Sequence, residues 1–465
     1  RLRVEQLLEP ADRHAQQLRG VGRRQRGAER HQRRRHRAHD GPHLRAALVD
    51  LLVDAHLAEH APGGTRIALA GRSRERLEQV RSSLPPAAAA WPLVVADAED
   101  LTALRELARS TRVVVTTVGP YQRYGKALVR ACAESGTHYC DLTGEILFAR
   151  WSSDTWSDAA RRSGARIVHA CGFDSIPSDL GVHLLARTVR EAGEGELGET
   201  TLYVRRLAGG LSGGTIDSMR QQAIETSKDA AARRLVADPY GYSPDRPAEP
   251  TRADAARAGT APEGPLGRVA RITRSLPVRR AAEVDRWTAP FIMASFNTRV
   301  VRRSNALTGF SYGRGFRYRE VMTTGSGPRG ALTGGVIMAA LVGGFAAMSF
   351  GPTRTALDRV LPKPGEGPGV EQQEKGAFRI DIRTTSTTGA RFRCLVGADK
   401  DPGYSGTAVM LGQSALSLAQ DAPVPGEGGV LTPATAMGDD LVARLRDHGF
   451  TLEASRVDGG FGTDS

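Results

Sequence analysis

RVVVTTVGPYQRYGKALVRACAESGTHYCDLTGE, residues 112–145, decides the fold. Three valines and two threonines run into the turn Val118-Gly119-Pro120. A helix-period segment follows and stops at Gly136. A second apolar run then leads to Asp141. Strands that are apolar without alternation are covered on both faces, which is the property of a parallel sheet whose crossover helices lie on both sides.

The pattern extends both ways. Upstream, DAHLAEHA reads as the end of a helix stopped by Pro62-Gly63-Gly64. RIALAG (66–71) and PLVVAD (92–97) read as strands, with helices over 74–83 and 100–109. Downstream, a helix closing at Ser163 and the strand ARIVHACG (165–172) complete the run. Residues 51–183 thus predict a Rossmann-like, doubly wound parallel sheet of the α/β class. Such a sheet opens on a strand and a glycine-rich loop that meets a pyrophosphate at a helix N-terminus. Residues 46–53, AALVDLLV, hold no glycine, so the expectation is a sheet whose first strand and glycine loop are missing.

Residues 1–50 hold thirteen arginines, no lysine and six acids, a net charge of +7 out of +13 for the whole chain. No helical or strand period lasts more than a turn there. The segment reads as a disordered basic tail, as text translated from the wrong frame of a GC-rich gene, or as a nucleic-acid arm. The absence of an initiator Met fits the second of these. A nucleic-acid groove would be spread over the folded part and mixed with aromatics, so no nucleic-acid partner is expected. Cys132, Cys140, Cys171 and Cys394 show neither paired nor metal-ligand spacing. No metal is expected, and a reducing, cytoplasmic setting fits best.

The site candidates follow the strand ends. The second strand ends Gly71-Arg72-Ser73 where an acid would mark NAD; an arginine and a hydroxyl suit a 2′-phosphate, so NADPH is expected. Val118, Gly119 and Pro120 form a turn where ligands approach such sheets. Tyr121, Lys126 and His138 are the candidate proton donors, although His138 also reads as a core or edge histidine. Asp141 and Glu145 suit orienting a ribose, a lysine or a water, or capping the segment that follows them. Gly172, Asp174 and Ser175 close the cofactor-binding set.

Residues 184–404 read as an α+β substrate domain with an antiparallel hairpin around Thr388-Gly389. Within it, 330–353 carries no charge and suits an acyl-binding or membrane-surface segment, with Arg314, Arg317, Arg319, Arg329, Arg354 and Arg359 for anionic heads. Residues 405–455 read as amphipathic helices that pack back on the first domain.

TTVGPYQRYGKALVRACAESGTHYCDLTGE (116–145), HACGFDSIPSDLG (169–181), LSGGTIDSMR (211–220), VRRSNAL (301–307) and LTPATAMGDDL (431–441) resemble the saccharopine-dehydrogenase-like oxidoreductases. Within that family the nearest likeness is to the trans-acting enoyl reductases of mycobacteria. Members open with a strand running into GATGFxG, a motif not found here. The resemblance implies NADPH and reduction of a carbon–carbon double bond in a polyketide or glycolipid precursor. Two alternatives stay open: reduction of an amino-acid-derived imine, and a non-catalytic, membrane-associated binding protein. A homodimer and a peripheral position at the inner face of the plasma membrane are further expectations.

Overall fold

The computed structural model describes residues 2–5, 46–209, 213–250, 277–349, 353, 375–421, 428–459 and 461. The chain opens with β1 (Leu2–Glu5), α1 (Ala46–His60), β2 (Ala68–Gly71), α2 (Arg74–Ser83) and β3 (Leu93–Val95). It continues with α3 (Leu101–Arg109), β4 (Val113–Thr116), α4 (Tyr121–Tyr124), α5 (Lys126–Ser135) and β5 (His138–Asp141). Next come α6 (Ile146–Ser163), β6 (Arg166–Val168) and α7 (Ile176–Glu191). A second set follows: β7 (Leu197–Ala208), α8 (Gly213–Lys228), α9 (Ala230–Ala237), β8 (Arg279–Ala281), β9 (Arg286–Pro290) and α10 (Ala294–Leu307). After it come β10 (Arg317–Gly325), α11 (Gly327–Ser349), β11 (Ala377–Ser386) and β12 (Arg391–Ala398). The last elements are α12 (Ser405–Gln420), β13 (Gly429–Leu431), α13 (Pro433–Ala436), α14 (Gly438–Asp447) and β14 (Thr451–Arg456).

The first sheet has the order β3-β2-β1-β4-β5-β6-β13, and every pair in it is parallel. This is the doubly wound arrangement expected, with one correction. The first strand is not missing: Leu2–Glu5 lies at the sheet centre, with Leu2 opposite Ala68 on one side and Val114 on the other. A four-residue strand inside an arginine-rich segment is too short to show a period of its own, and its backbone pairing supplies what its side-chain pattern lacks. The glycine-loop expectation falls on residues 6–45, outside the described residues. AALVDLLV belongs to α1.

Local chemistry places the helices around this sheet. Ser73 caps α2, accepting from Arg76 N at 3.4 Å, and Asp100 caps α3 through Thr102 N and Ala103 N at 2.9 and 3.2 Å. Gly136 ends α5 at φ 73°, and a side chain there would meet the Ser163 carbonyl oxygen at 2.8 Å.

The second sheet, β14-β12-β11-β7-β10-β9-β8, is antiparallel except where β10 runs parallel to β7. The hairpin expected at Thr388-Gly389 is the β11–β12 connection. The C-terminal region contains two strands that the sequence pattern does not announce. β13 joins the edge of the first sheet, and β14 joins the edge of the second. α12 is not amphipathic: Gly406 to Ala419 are all buried, because Gly, Ala, Ser and Thr let it pass between α1 and the first sheet. One hydrophobic core joins the two sheets, running from Val113 and Val115 of β4 through α7 to Ile380 and Ile382 of β11.

Candidate active site

Ligands of open α/β sheets bind beyond the carboxyl ends of the strands. Among the described residues the loops after β2, β4, β5 and β6 open on this edge.

After β2, Gly71 is buried, Arg72 and Arg74 are exposed, and Ser73 stands at the N-terminus of α2. Neither guanidinium has a hydrogen bond or ion pair among the described residues. Two cations and a hydroxyl at the positive end of a helix dipole fit a phosphomonoester. The residues present therefore fit the adenosine end of a phosphorylated dinucleotide.

After β4, Val118 N donates to Thr116 Oγ1 at 3.2 Å, and Gly119 and Pro120 are joined by a cis peptide bond. Among the described residues, a side chain at Gly119 would touch the Tyr121 ring alone, at 3.6 Å, an ordinary contact distance. Tyr121 itself is buried. Its hydroxyl donates to Thr116 O at 3.4 Å and accepts from Leu142 N at 3.2 Å, tying the β4 loop to the β5 loop. Burial first, and then the charge of Asp141, push its phenol well above the ordinary tyrosine range.

After β5, Asp141 is fully buried and accepts four hydrogen bonds. Oδ1 receives Thr143 N at 3.0 Å and Ala170 N at 3.1 Å; Oδ2 receives the Tyr139 hydroxyl at 2.9 Å and meets His169 Nδ1 at 2.8 Å. His169 Nε2 then meets Ser152 Oγ at 2.9 Å. With its acceptor positions taken inside the chain, Asp141 holds the loops that form the edge; it holds Ala170 in the left-handed region, at φ 61°. Glu145 precedes α6 but its side chain does not cap that helix; it serves the earlier α4 instead. Its carboxylate accepts Tyr121 N at 2.9 Å and Gln122 N at 2.8 Å, closing the start of α4. Burial raises its pKa, and those two amides pull against the rise.

After β6, Gly172 is a close approach: a methyl there would come within 2.6 Å of the Leu142 side chain and 2.9 Å of that of Thr407. Ser175 precedes α7 and donates to Asn297 Oδ1 at 3.2 Å. Asp174 differs from the other carboxylates of this edge. It is partly buried, and among the described residues its carboxylate bonds to no other residue. Burial, and behind it the charge of Asp141, push its pKa to about 7.

The edge therefore gathers Val118, Gly119, Pro120, Tyr121, Asp141, Gly172, Asp174 and Ser175, with Gly71, Arg72 and Ser73 two strands along. Lys126 starts α5, with its ammonium 5.2 Å from the Trp151 ring. It opposes the burial that raises the pKa of Glu225, one of the residues lining a shallow crevice between α6 and α8. His138 is not brought into this group. It opens β5 at the opposite edge, its Nδ1 accepting Arg166 N at 3.0 Å, and burial lowers it to about 4.

The sequence pattern missed the residues that the second half adds. Asn297 of α10 donates to Ser178 Oγ at 3.3 Å and to Glu320 Oε2 at 3.1 Å, and Glu320 accepts the Tyr318 hydroxyl at 2.9 Å. Ser304 and Ala434 N bond the two oxygens of Asp179 at 2.5 and 2.8 Å. Ser178 and Asp179 suit helix caps by sequence, yet both lie inside α7; polar residues within otherwise apolar helical segments are the signal that marks them and Ser304.

Residues 47–168 match the saccharopine dehydrogenase NADP binding domain. A provisionally named trans-acting enoyl reductase of Mycobacterium tuberculosis (strain ATCC 25618 / H37Rv) is 47% identical over 414 residues, covering 88% of this chain and 96% of that protein. The trans-acting enoyl reductase of Mycobacterium ulcerans (strain Agy99) is 46% identical over 413 residues, 88% of this chain and 95% of its own. Among solved structures, the apo histidine-tagged saccharopine dehydrogenase (L-Glu forming) from Saccharomyces cerevisiae aligns with 90% of this chain and 98% of that one, at 12% identity and a TM-score of 0.46. The chain belongs to the saccharopine dehydrogenase NADP-binding family of oxidoreductases, as a homologue of the mycobacterial trans-acting enoyl reductases.

Proposed function

We propose that this protein is an NADPH-dependent enoyl reductase acting in trans on a lipid or polyketide chain, where it saturates a carbon–carbon double bond of a glycolipid precursor. The observation that carries the reading is identity of 46–47% over 95–96% of the length of relatives bearing that name. The exposed pair Arg72 and Arg74 beside Ser73 supports NADPH over NADH, and the uncharged stretch 330–353 supports an apolar substrate.

Bound NADPH supplies a hydride. The chain has to orient the acceptor, keep water away and deliver one proton to the other carbon. Asp174 fits the delivery, since it stands at the ligand edge and is not committed to a neighbour. Asp141 and Glu145 position the loops around it. A proton held near neutral pH suits a general acid.

The test follows NADPH oxidation with a long-chain α,β-unsaturated acyl thioester, against NADH and against lysine mixed with an α-keto acid. The expected result is NADPH-specific turnover of the thioester, with a product heavier by two hydrogens. Turnover of the amino-acid mixture alone, or of no acyl chain at all, overturns the reading.

A further inference from the structure

α11 is 23 residues long, about 34 Å at the helical rise. Its one charged residue is Arg329, near its start, and apart from Thr333 and Ser349 the rest is apolar. One stripe faces the protein. Gly330, Gly334 and Met348 are buried, and a side chain at Gly334 would come within 2.8 Å of Val278 and into contact with Ala289 of β9. The opposite face is open: Leu332, Val336 and Val342 are 71%, 61% and 55% exposed. The Thr333 hydroxyl is turned back on the Arg329 carbonyl at 2.9 Å. A protein-binding patch of this size would carry aromatic and arginine anchors and hydrogen-bonding groups. α11 offers one partly exposed ring, Phe345 at 40%, and among its described residues no hydrogen-bonding side chains beyond Arg329 and Thr333.

By length and composition α11 could cross a bilayer. Topology forbids it. β10, immediately before it, and β11, after it, pair with the two sides of the same strand, β7. Both ends of the helix return to one sheet, so the helix can only lie along a surface. The surroundings are basic. Arg329 is exposed at the start of the helix, and Arg279, Arg280 and Arg286 lie on the β8–β9 hairpin beside it, Arg280 in an ion pair with Asp285. Trp287, at the foot of α11, adds an interfacial ring.

We infer that the outward face of α11 seats the protein on an anionic lipid bilayer, its apolar side chains in the acyl boundary and Arg329, Arg280 and Arg286 at headgroup level. This inference is independent of the enoyl reductase reading, because it concerns adsorption and not turnover. The experiment is co-sedimentation of the full chain with vesicles of phosphatidylcholine alone and of phosphatidylcholine mixed equally with phosphatidylglycerol. The wild type is expected to sediment with the mixed vesicles and far less with the neutral ones, and added salt should release part of it. The double variant V336D/V342D is expected to lose at least about tenfold in partition, since each charge must enter the apolar boundary. Its urea midpoint should stay unchanged, since both positions are exposed. Wild type that ignores both vesicle types, or a double variant that binds as well as wild type, overturns the inference. So does self-association in the absence of lipid that the double variant abolishes, which would make a second copy the occupant of this face.

Discussion

Replacing Asp141 with alanine removes the acceptor of four donors in one step. Two are backbone amides of buried residues, Thr143 N and Ala170 N, which have nowhere else to turn. A buried amide left without an acceptor costs about 1–3 kcal/mol, so these two alone predict a loss of roughly 2–6 kcal/mol. Asparagine should behave differently. Its oxygen keeps the two amides, and its NH2 group points at the Tyr139 hydroxyl and His169 Nδ1. The hydroxyl can accept, and the imidazole can shift its proton to Nε2 and donate to Ser152 Oγ, 2.9 Å away. The whole chain of bonds reverses, at a cost of about 1 kcal/mol. Urea denaturation at constant slope reads both variants. Equal losses for alanine and asparagine would refute the hydrogen-bond account and leave the edge held by packing.

Three further outcomes are expected. Arg72→Ala should weaken NADPH binding by roughly ten- to a hundredfold and leave NADH binding nearly unchanged, as titration of each cofactor would read; equal effects on both would remove the phosphate assignment. Asp174→Asn should lower kcat by about a hundredfold while cofactor binding persists, and the decline of wild-type activity as pH rises through about 7 should vanish from the pH–rate profile. Burial raises Asp179 and Glu320 to about 7, so the folded state holds their protons more tightly than the unfolded chain does. That stability is complete below about pH 4 and lost as pH rises through about 7. The urea midpoint should therefore fall across that window, and Glu320→Gln should shrink the fall.

The doubly wound half was readable because its strands are buried on both faces and appear as unbroken apolar runs, as in Val113–Thr116. Leu2–Glu5 was not readable, because what identifies it is backbone pairing with strands more than sixty residues away, which no local pattern records. α12 deceived for a related reason: its serines and threonines look like a solvated face, yet they are the small residues that a buried crossing needs. At the site, strand ends and turn glycines pointed to the right edge of the sheet. They could not say which carboxylates are committed. Glu145 and Asp141 look equivalent to Asp174 as letters, and only the bonds to Tyr121 N, Gln122 N, Thr143 N and Ala170 N separate them. The Asn297–Glu320–Tyr318 group joins α10 to β10 and reaches Ser178 across more than a hundred residues, a distance over which spacing carries no information.

α10 has a mechanical consequence. Arg303, buried within it, donates to Tyr242 O at 2.9 Å on one side and to Val430 O, in the edge strand of the first sheet, at 2.7 Å on the other. One residue later, Ser304 meets Thr432 at 2.6 Å and Asp179 of α7. The two halves are thus riveted by desolvated bonds that a swinging motion would have to break together, exposing a guanidinium and its carbonyls midway. A seam of this kind resists any rigid swing of one half against the other, so opening at the rim falls to single elements such as α8, which meets it through Ser218, 3.5 Å from the Glu145 carboxylate, and through the crevice where Gln221, Gln222 and Glu225 face Glu145 and Ile146.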